Sequence, residues 1–213
     1  MAFKIFASMN IAIIGCGEIS EGYAAAFALA GHNVSLAAKN GVRLCLSPAL
    51  SAFDNIQVSS IEAAADQADL IIIMTPATDV REVAYWLGDV RNKVIIDATS
   101  NIHAPGEETV RTALAIGAIT GAQHIVTVFH AKGYEQLLKP LFRDNKIDMI
   151  LAGDSKKAKE VTKILARELG INYCYDFGGS DTLPLFTEMT RLWRTLVTKN
   201  TPHTLIATLP QQS

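Results

Sequence analysis

A glycine-rich turn near the start of the chain is the segment with the clearest chemical meaning. Residues 11–14 are apolar and lead directly into Gly15, Gly17 and Ser20, which a helix-forming stretch follows. Between a strand and a helix, the first glycine permits a tight turn and the second lets a diphosphate approach the backbone N–H groups at the helix start. Ser20 is small enough to replace the usual third glycine, which serves close helix–strand packing. The pattern predicts a dinucleotide-binding turn, with an ordinary tight turn as the alternative.

The end of the second strand candidate bears on the choice between NAD and NADP. NAD-selective sites usually carry an Asp or Glu about 20 residues after the glycines, whereas residues 34–43 hold no carboxylate. Lys39 stands at the strand end and Arg43 lies a turn further on. Two cations suit a dianionic 2′-phosphate, so we expect NADP as the cofactor. A solvated basic loop is the alternative.

The elements that would position these residues are short apolar strands alternating with alanine-rich helices. The strand candidates are residues 10–14, 33–37, 55–58, 70–74, 94–97, 124–129, 148–151 and 173–175. Several are apolar at successive positions, which is typical of parallel strands covered on both faces. Alternation with helices indicates right-handed βαβ units. We therefore predict a doubly wound, Rossmann-like, mostly parallel α/β sheet of about eight strands.

We expect a single dinucleotide-binding domain over residues 1–213, with its core at about 9–153. Residues 154–213 form a C-terminal α/β extension, for which a cover of the substrate cleft and a dimer contact are both compatible roles. The extension holds an amphipathic helix from about Pro184 to Val197, where apolar residues recur at helical spacing.

Glycines and polar residues mark the ends of the other helices. The first helix is expected from about Glu18 to Ala30, before Gly31, and His32 is expected to face solvent. Another should begin after Asp79, a residue suited to an N-cap, and a third after Ser155.

Composition excludes several classes of protein. The 19 basic and 21 acidic residues among 213 give a net charge of −2, and 49% of residues are hydrophobic, which argues against disorder and against nucleic-acid binding. No apolar run approaches the ~20 residues that span a bilayer, so we expect no membrane contact. The three cysteines show no metal-ligand spacing, and their odd, sparse number fits a reducing cytoplasm. We expect no metal site.

Further short motifs follow the glycine turn in a fixed order. They are residues 30–32, 38–39, 74–76, 96–101, 126–130, 152–154, 168–170 and 192–194. In order and spacing, most of the chain resembles the NADPH:deazaflavin-coenzyme oxidoreductase family. The resemblance implies hydride transfer between NADPH and a flavin- or deazaflavin-like acceptor, a small-molecule substrate, and a homodimer.

The resemblance also assigns cofactor contacts to particular positions. It implies that the diphosphate is held by the backbone at Cys16, Gly17, Glu18 and Ile19, and that the 2′-phosphate is surrounded by Ala38, Lys39 and Arg43. The path from adenosine to nicotinamide would be lined by Thr75, Pro76 and Ala77. Near the nicotinamide would lie Ala98 and Thr99. By the same resemblance, residues 128–130 border the substrate cleft.

Hydride transfer to a flavin-like ring depends on alignment more than on acid–base groups. Ligands of such sheets bind outside the carboxyl ends of the strands, where Asn101 and His130 are the polar candidates to touch the acceptor. A histidine bonded to the backbone is the alternative for His130. Two other functions stay open: a non-catalytic NADP-binding sensor or regulatory module, and a short imine or hydroxyacid reductase related to pyrroline-carboxylate reductases.

Overall fold

Eight β-strands form one sheet in the computed structural model, which describes residues 8–39, 47–99, 111–130, 148–171, 173–185 and 188. The strands are β1 (Asn10–Ile14), β2 (Asn33–Ala37), β3 (Ile56–Val58), β4 (Leu70–Ile73), β5 (Val94–Asp97), β6 (His124–His130), β7 (Asp148–Ala152) and β8 (Tyr173–Asp176). The helices of the same ranges are α1 (Glu18–Ala30), α2 (Ile61–Gln67), α3 (Val80–Leu87), α4 (Thr112–Thr120) and α5 (Lys156–Glu168).

The strand order across the sheet is β3-β2-β1-β4-β5-β6-β7-β8. The six strands from β3 to β6 run parallel, β7 is antiparallel to β6, and β8 is parallel to β7. The direction of winding reverses between β1 and β4, which is the position where open α/β sheets bind ligands. The prediction of a Rossmann-like, mostly parallel sheet of about eight strands is confirmed.

Helices cover both faces of the sheet, because successive residues of its central strands are apolar. Ile11 and Ile13 of β1 face the layer of α1 and α5, which contributes Phe27 and Leu165. Ala12 and Ile14 face the opposite layer of α2, α3 and α4. Strands buried on both sides need a continuous apolar run rather than an alternating one, which is why β1 and β4 were recognisable in the sequence.

The predicted helix ends are largely present. Gly31 follows α1 with φ 92°, and its N–H bonds to the Ala28 carbonyl, as expected of a left-handed terminal glycine. The Ser155 hydroxyl caps α5 by accepting the Ala158 N–H at 3.1 Å. Asp79 precedes α3, but its side chain makes no capping bond. Its carboxylate is turned toward Lys39 instead.

His32 is buried, with 0% of its side chain exposed, so the expectation that it faces solvent is wrong. The Met9 N–H donates to His32 Nδ1 at 3.2 Å, which leaves the ring hydrogen on Nε2. Nε2 donates to the Glu168 carboxylate at 2.7 Å. The turn after Gly31 folds the chain back onto the sheet, and the histidine thereby joins the start of β2 to the end of α5.

The predicted C-terminal helix begins where expected, since residues 183–185 are helical. Most of residues 184–197 lie outside the described ranges. Within those ranges, no helix is long and apolar enough to cross a membrane.

Candidate functional site

The ends of five parallel strands form one edge of the sheet and bring the predicted cofactor residues together. Ile14 of β1 is in register with Ala37 of β2 and Ile73 of β4, and Ile73 is in register with Asp97 of β5. Asp97 in turn is in register with Thr127 of β6. The residues that follow these positions are Gly15–Ser20, Ala38–Lys39, Thr75–Ala77 and Ala98–Thr99. Arg43 and Asn101, which the sequence also placed at this site, lie outside the described residues.

Gly15 fixes the turn after β1 by a close approach to the backbone after β4. A Cβ at this position would lie 2.6 Å from the Met74 carbonyl oxygen, and φ is +156°. The Gly15 N–H donates to the Ala37 carbonyl at 2.8 Å, and the Met74 N–H donates to the Ile14 carbonyl at 2.7 Å. A side chain has no room here, so glycine is required for packing, and the turn is held from both neighbouring strands.

Gly17 differs from Gly15 because it faces open space. Among the described residues, a Cβ built on Gly17 would meet no atom within 4 Å, although φ is +143°. Gly17 is the N-cap of α1, and its helix start receives no hydrogen bond from a capping side chain. The first N–H groups of a helix carry a partial positive charge and bind anions. The two glycines therefore combine a rigid turn with an accessible, uncapped helix start.

The side chains of the other residues in this turn are exposed, buried or bound to the rest of the chain. Glu18 is exposed, and Glu21 accepts the Ser47 N–H at 2.9 Å, so this carboxylate is held by the chain. Ser20 is 3% exposed and fills the position for which the sequence predicted a small residue. Cys16 is exposed and disulfide-bonded.

Thr75, two residues after β4, has a buried hydroxyl that no described residue pairs with. The residue is 7% exposed, and within the described part of the chain its Oγ1 has no hydrogen-bond partner. An unpaired buried hydroxyl costs about 1–3 kcal/mol, so its retention beside the turn after β1 needs a reason. A ligand that donates or accepts at this hydroxyl would supply one.

Asp97 ends β5 and is fully buried beneath the turn of Ala98 and Thr99. Its Oδ1 accepts the Thr99 hydroxyl at 2.7 Å and the Thr99 N–H at 3.2 Å, and its Oδ2 accepts the Thr112 hydroxyl at 2.6 Å. Burial raises the pKa of this carboxyl above its usual value, against the opposing effect of these bonds. These bonds hold the turn in place, so Asp97 has a structural role.

Lys39, the predicted 2′-phosphate ligand, is already paired with two carboxylates. Its Nζ contacts Glu82 and lies 3.5 Å from Asp79 Oδ1. The hydrogen bond to Glu82 is the main cause that raises the pKa of Lys39. Sequence reasoning missed both acids, because they are about 40 residues from Lys39 and belong to α3 and the turn before it. Their spacing at the start of a helix, following a strand of the same edge, is the signal that could have identified them.

His130 ends β6, and the C-terminal extension packs against the neighbouring strand β7. Only the backbone of His130 is described; it pairs with Met149 and continues β6 three residues beyond Thr127. Leu183 of the extension packs on Ile150 and Ala152, a cluster that Phe129 also contacts. Among the described residues, no group of three or more His, Cys, Asp or Glu side chains is placed to hold a metal ion.

Comparison in sequence gives one family. Residues 10–101, from β1 to just beyond β5, match the family of NADP oxidoreductases described as coenzyme F420-dependent. The match confirms the predicted resemblance and the prediction of an NADP-dependent oxidoreductase. No curated protein sequence matches the chain.

Comparison in structure finds proteins of the same fold. A putative F420-dependent NADP-reductase from Arthrobacter sp. FB24 is 17% identical, with a TM-score of 0.74, and the alignment covers 90% of this chain and 94% of that one. A 3-hydroxyisobutyrate dehydrogenase from Mycobacterium tuberculosis is 17% identical, with a TM-score of 0.62. The alignment covers 81% of this chain and 55% of the dehydrogenase. An imine reductase from Myxococcus stipitatus, in complex with NAD+, is 16% identical, with a TM-score of 0.60. That alignment covers 89% of this chain and 63% of the reductase. At such identities the likeness shows the fold alone.

Proposed function

Because residues 10–101 match the F420-dependent NADP oxidoreductases, we propose that this NADP-dependent oxidoreductase transfers hydride between NADPH and a flavin- or deazaflavin-like acceptor. The observation that carries the proposal is the turn between β1 and α1. Gly15 locks it against the Met74 carbonyl, while Gly17 leaves open space in front of an uncapped helix start. That combination suits a diphosphate, which can approach the backbone at the helix start.

The residues at the sheet edge fit the rest of a dinucleotide. The backbone of Cys16 to Ser20 would hold the diphosphate, and Ala38 and Lys39, with Arg43, would surround the 2′-phosphate. Thr75, Pro76 and Ala77 would line the path to the nicotinamide, where the unpaired Thr75 hydroxyl would gain a partner. Ala98 and Thr99 would border the nicotinamide, on a turn fixed by Asp97.

The chain's own contribution to the reaction is alignment and exclusion of water. NADPH supplies the hydride when bound, and no proton transfer by the protein is needed for that step. The acceptor would stack beyond the end of β6, with His130 and Asn101 as polar contacts. The C-terminal extension, from residue 154 onward, would cover this cleft, and the packing of Leu183 on the cluster beside Phe129 supports that role.

Binding is tested with a matched pair of glycine variants. Thermal unfolding should shift upward with NADPH, since a ligand at ~100 times its Kd adds about 2.7 kcal/mol of stability. In Gly17→Ala the methyl group would enter the space proposed for the diphosphate, and the shift should largely disappear. Gly88→Ala is the control, because Gly88 also has a positive φ of 66° and open space but follows the far end of α3. Equal shifts in both variants would disprove binding at this turn.

Turnover is tested by following NADPH oxidation with FMN, FAD and a deazaflavin as acceptors. Oxidation with one of these acceptors supports the proposal. Binding of NADPH without turnover of any acceptor would instead favour the non-catalytic sensor or regulatory module.

An imine or hydroxyacid reductase is the second enzymatic candidate. The shared fold with an imine reductase and with 3-hydroxyisobutyrate dehydrogenase favours it. Oxidation of NADPH by cyclic imines or 2-oxoacids, in the absence of activity with flavins, would select this candidate.

We further propose a homodimer, on the ground of the family resemblance alone, which sedimentation analysis will test. The cytoplasmic location predicted from the cysteine count stays a prediction, and the disulfide at Cys16 is unusual for that compartment. Cell fractionation decides that point.

A further inference from the structure

Two carboxylates reach the end of β2 through space, although the local sequence has none there. Lys39 follows β2, whereas Asp79 and Glu82 belong to the turn and helix that follow β4. In the sheet, β1 lies between these two strands. The ion pairs therefore connect the two sides of the glycine turn that ends β1, along the edge where the adenosine half of the cofactor is proposed to lie.

The net charge around Lys39 is negative, whereas the sequence around the end of β2 predicts a positive one. Lys39 contributes one positive charge, while Asp79 at 3.5 Å and Glu82 in direct contact contribute two negative charges. The three side chains are about one-third to one-half exposed, at 34%, 35% and 46%, so a ligand can reach them. A 2′-phosphate that approaches Lys39 must compete with carboxylates that already accept its hydrogen bonds.

We infer that Asp79 and Glu82 set the cofactor preference by competing with the 2′-phosphate of NADP for Lys39. This inference rests on the proposed dinucleotide site. It gives the carboxylates a role as specificity-determining residues: they lower the affinity for NADPH and leave NADH, which has no 2′-phosphate, nearly unaffected. The wild-type protein should therefore prefer NADPH to NADH by less than Lys39 alone would allow.

The expected size of the effect follows from the exposure of the ion pairs. An exposed ion pair changes an affinity by no more than about fivefold. Glu82→Gln should thus tighten NADPH binding about two- to fivefold, and NADH binding should change less than about twofold. The increase in NADPH affinity caused by Glu82→Gln should become smaller between about 50 and 200 mM salt, because salt screens exposed charges.

The experiment measures dissociation constants of NADPH and NADH by calorimetry for the wild type and for Glu82→Gln, Asp79→Asn and the double variant. Glu160→Gln is the matched control, because Glu160 is also an exposed acid paired with a lysine, Lys163 at 2.9 Å. It follows β7, whose reversed direction places it at the other edge of the sheet. Its NADPH affinity should equal that of the wild type.

A Lys39→Met background separates competition from direct repulsion. Without the lysine there is nothing to compete for, so Glu82→Gln should then change NADPH affinity less than about twofold. A gain as large as in the wild type would overturn the inference, as would unchanged or weaker NADPH binding in Glu82→Gln itself. Failure of the wild type to bind either nucleotide would instead refute the proposed function, so the two failures are distinguishable.

Discussion

Replacement of His32 by alanine should destabilise the protein strongly, because two hydrogen bonds are lost at a fully buried position. The Met9 N–H loses its acceptor at 3.2 Å, and Glu168 loses its donor at 2.7 Å. The Glu168 side chain is 4% exposed, and its Oε1 already has no partner among the described residues. Removal of one member of such a pair leaves a buried carboxylate without a donor, at a cost of about 3–5 kcal/mol.

The companion variant Glu168→Gln should be far milder. The glutamine oxygen can still accept the His32 Nε2–H, and the buried negative charge is removed, so we expect a change within about 1 kcal/mol. His124→Ala is the control, because His124 is only partly buried and makes its side-chain bond to the Ser155 hydroxyl. It should cost about 1 kcal/mol or less.

Urea denaturation at neutral pH, with the midpoint and the slope fitted separately, measures these differences. Two results would contradict this role of the pair: a cost of His32→Ala below about 1 kcal/mol, or a cost of Glu168→Gln as large as that of His32→Ala. Either result would mean that the pair does not hold the end of α5 to the start of β2.

Three further predictions concern stability. Lys93→Met should lower the free energy of unfolding by about 1–2 kcal/mol, since Lys93 Nζ donates to three carbonyls at the end of α2, at 2.6, 2.6 and 2.9 Å. The control Lys163→Met, at an exposed ion pair, should lower it by less than about 0.5 kcal/mol in the same urea titration. Gly15→Ala should lower the melting temperature far more than Gly117→Ala, because its Cβ would meet a carbonyl at 2.6 Å rather than a side-chain methyl at 3.3 Å. Asp97→Asn should destabilise most at acid pH: burial raises the pKa of Asp97 in the folded state, so its contribution is full below its unfolded pKa and is lost as pH rises.

Each of these predictions has a definite contrary result. Equal costs for Lys93→Met and Lys163→Met would show that the capping bonds contribute nothing. Similar melting temperatures for the two glycine variants would show that the turn after β1 can relax. A cost of Asp97→Asn that grows from pH 4 to pH 8 would contradict the sign of the pKa shift.

The strands were predictable because their apolar runs reflect burial on both faces. The bounds of β1, β2 and β5 agree with the sequence prediction, and the glycine turn was recognised from its place between β1 and α1. The helix α4, in contrast, has no polar residue between Thr112 and Thr120, so no periodic pattern marks the side that packs. A single sequence does not separate such a segment from a buried strand.

What the sequence did not predict depends on contacts between distant segments. His32 was expected to face solvent from its place after a helix-ending glycine, yet its partner Glu168 is 136 residues away. The local sequence predicts a Lys39 side chain available to a phosphate, whereas its partners come from α3 and the turn before it. In both cases the local pattern defined the backbone correctly, while the surroundings of the side chain followed from the order of the strands.

The contact of Gly15 with the Met74 carbonyl has a kinetic consequence. The turn is braced from β2 and from β4 by backbone contacts that involve no nucleotide. No rearrangement of this turn needs to accompany capture of the diphosphate. In rapid-mixing experiments the observed rate at this end of the cofactor should rise in proportion to nucleotide concentration, without the plateau that a preceding isomerisation imposes.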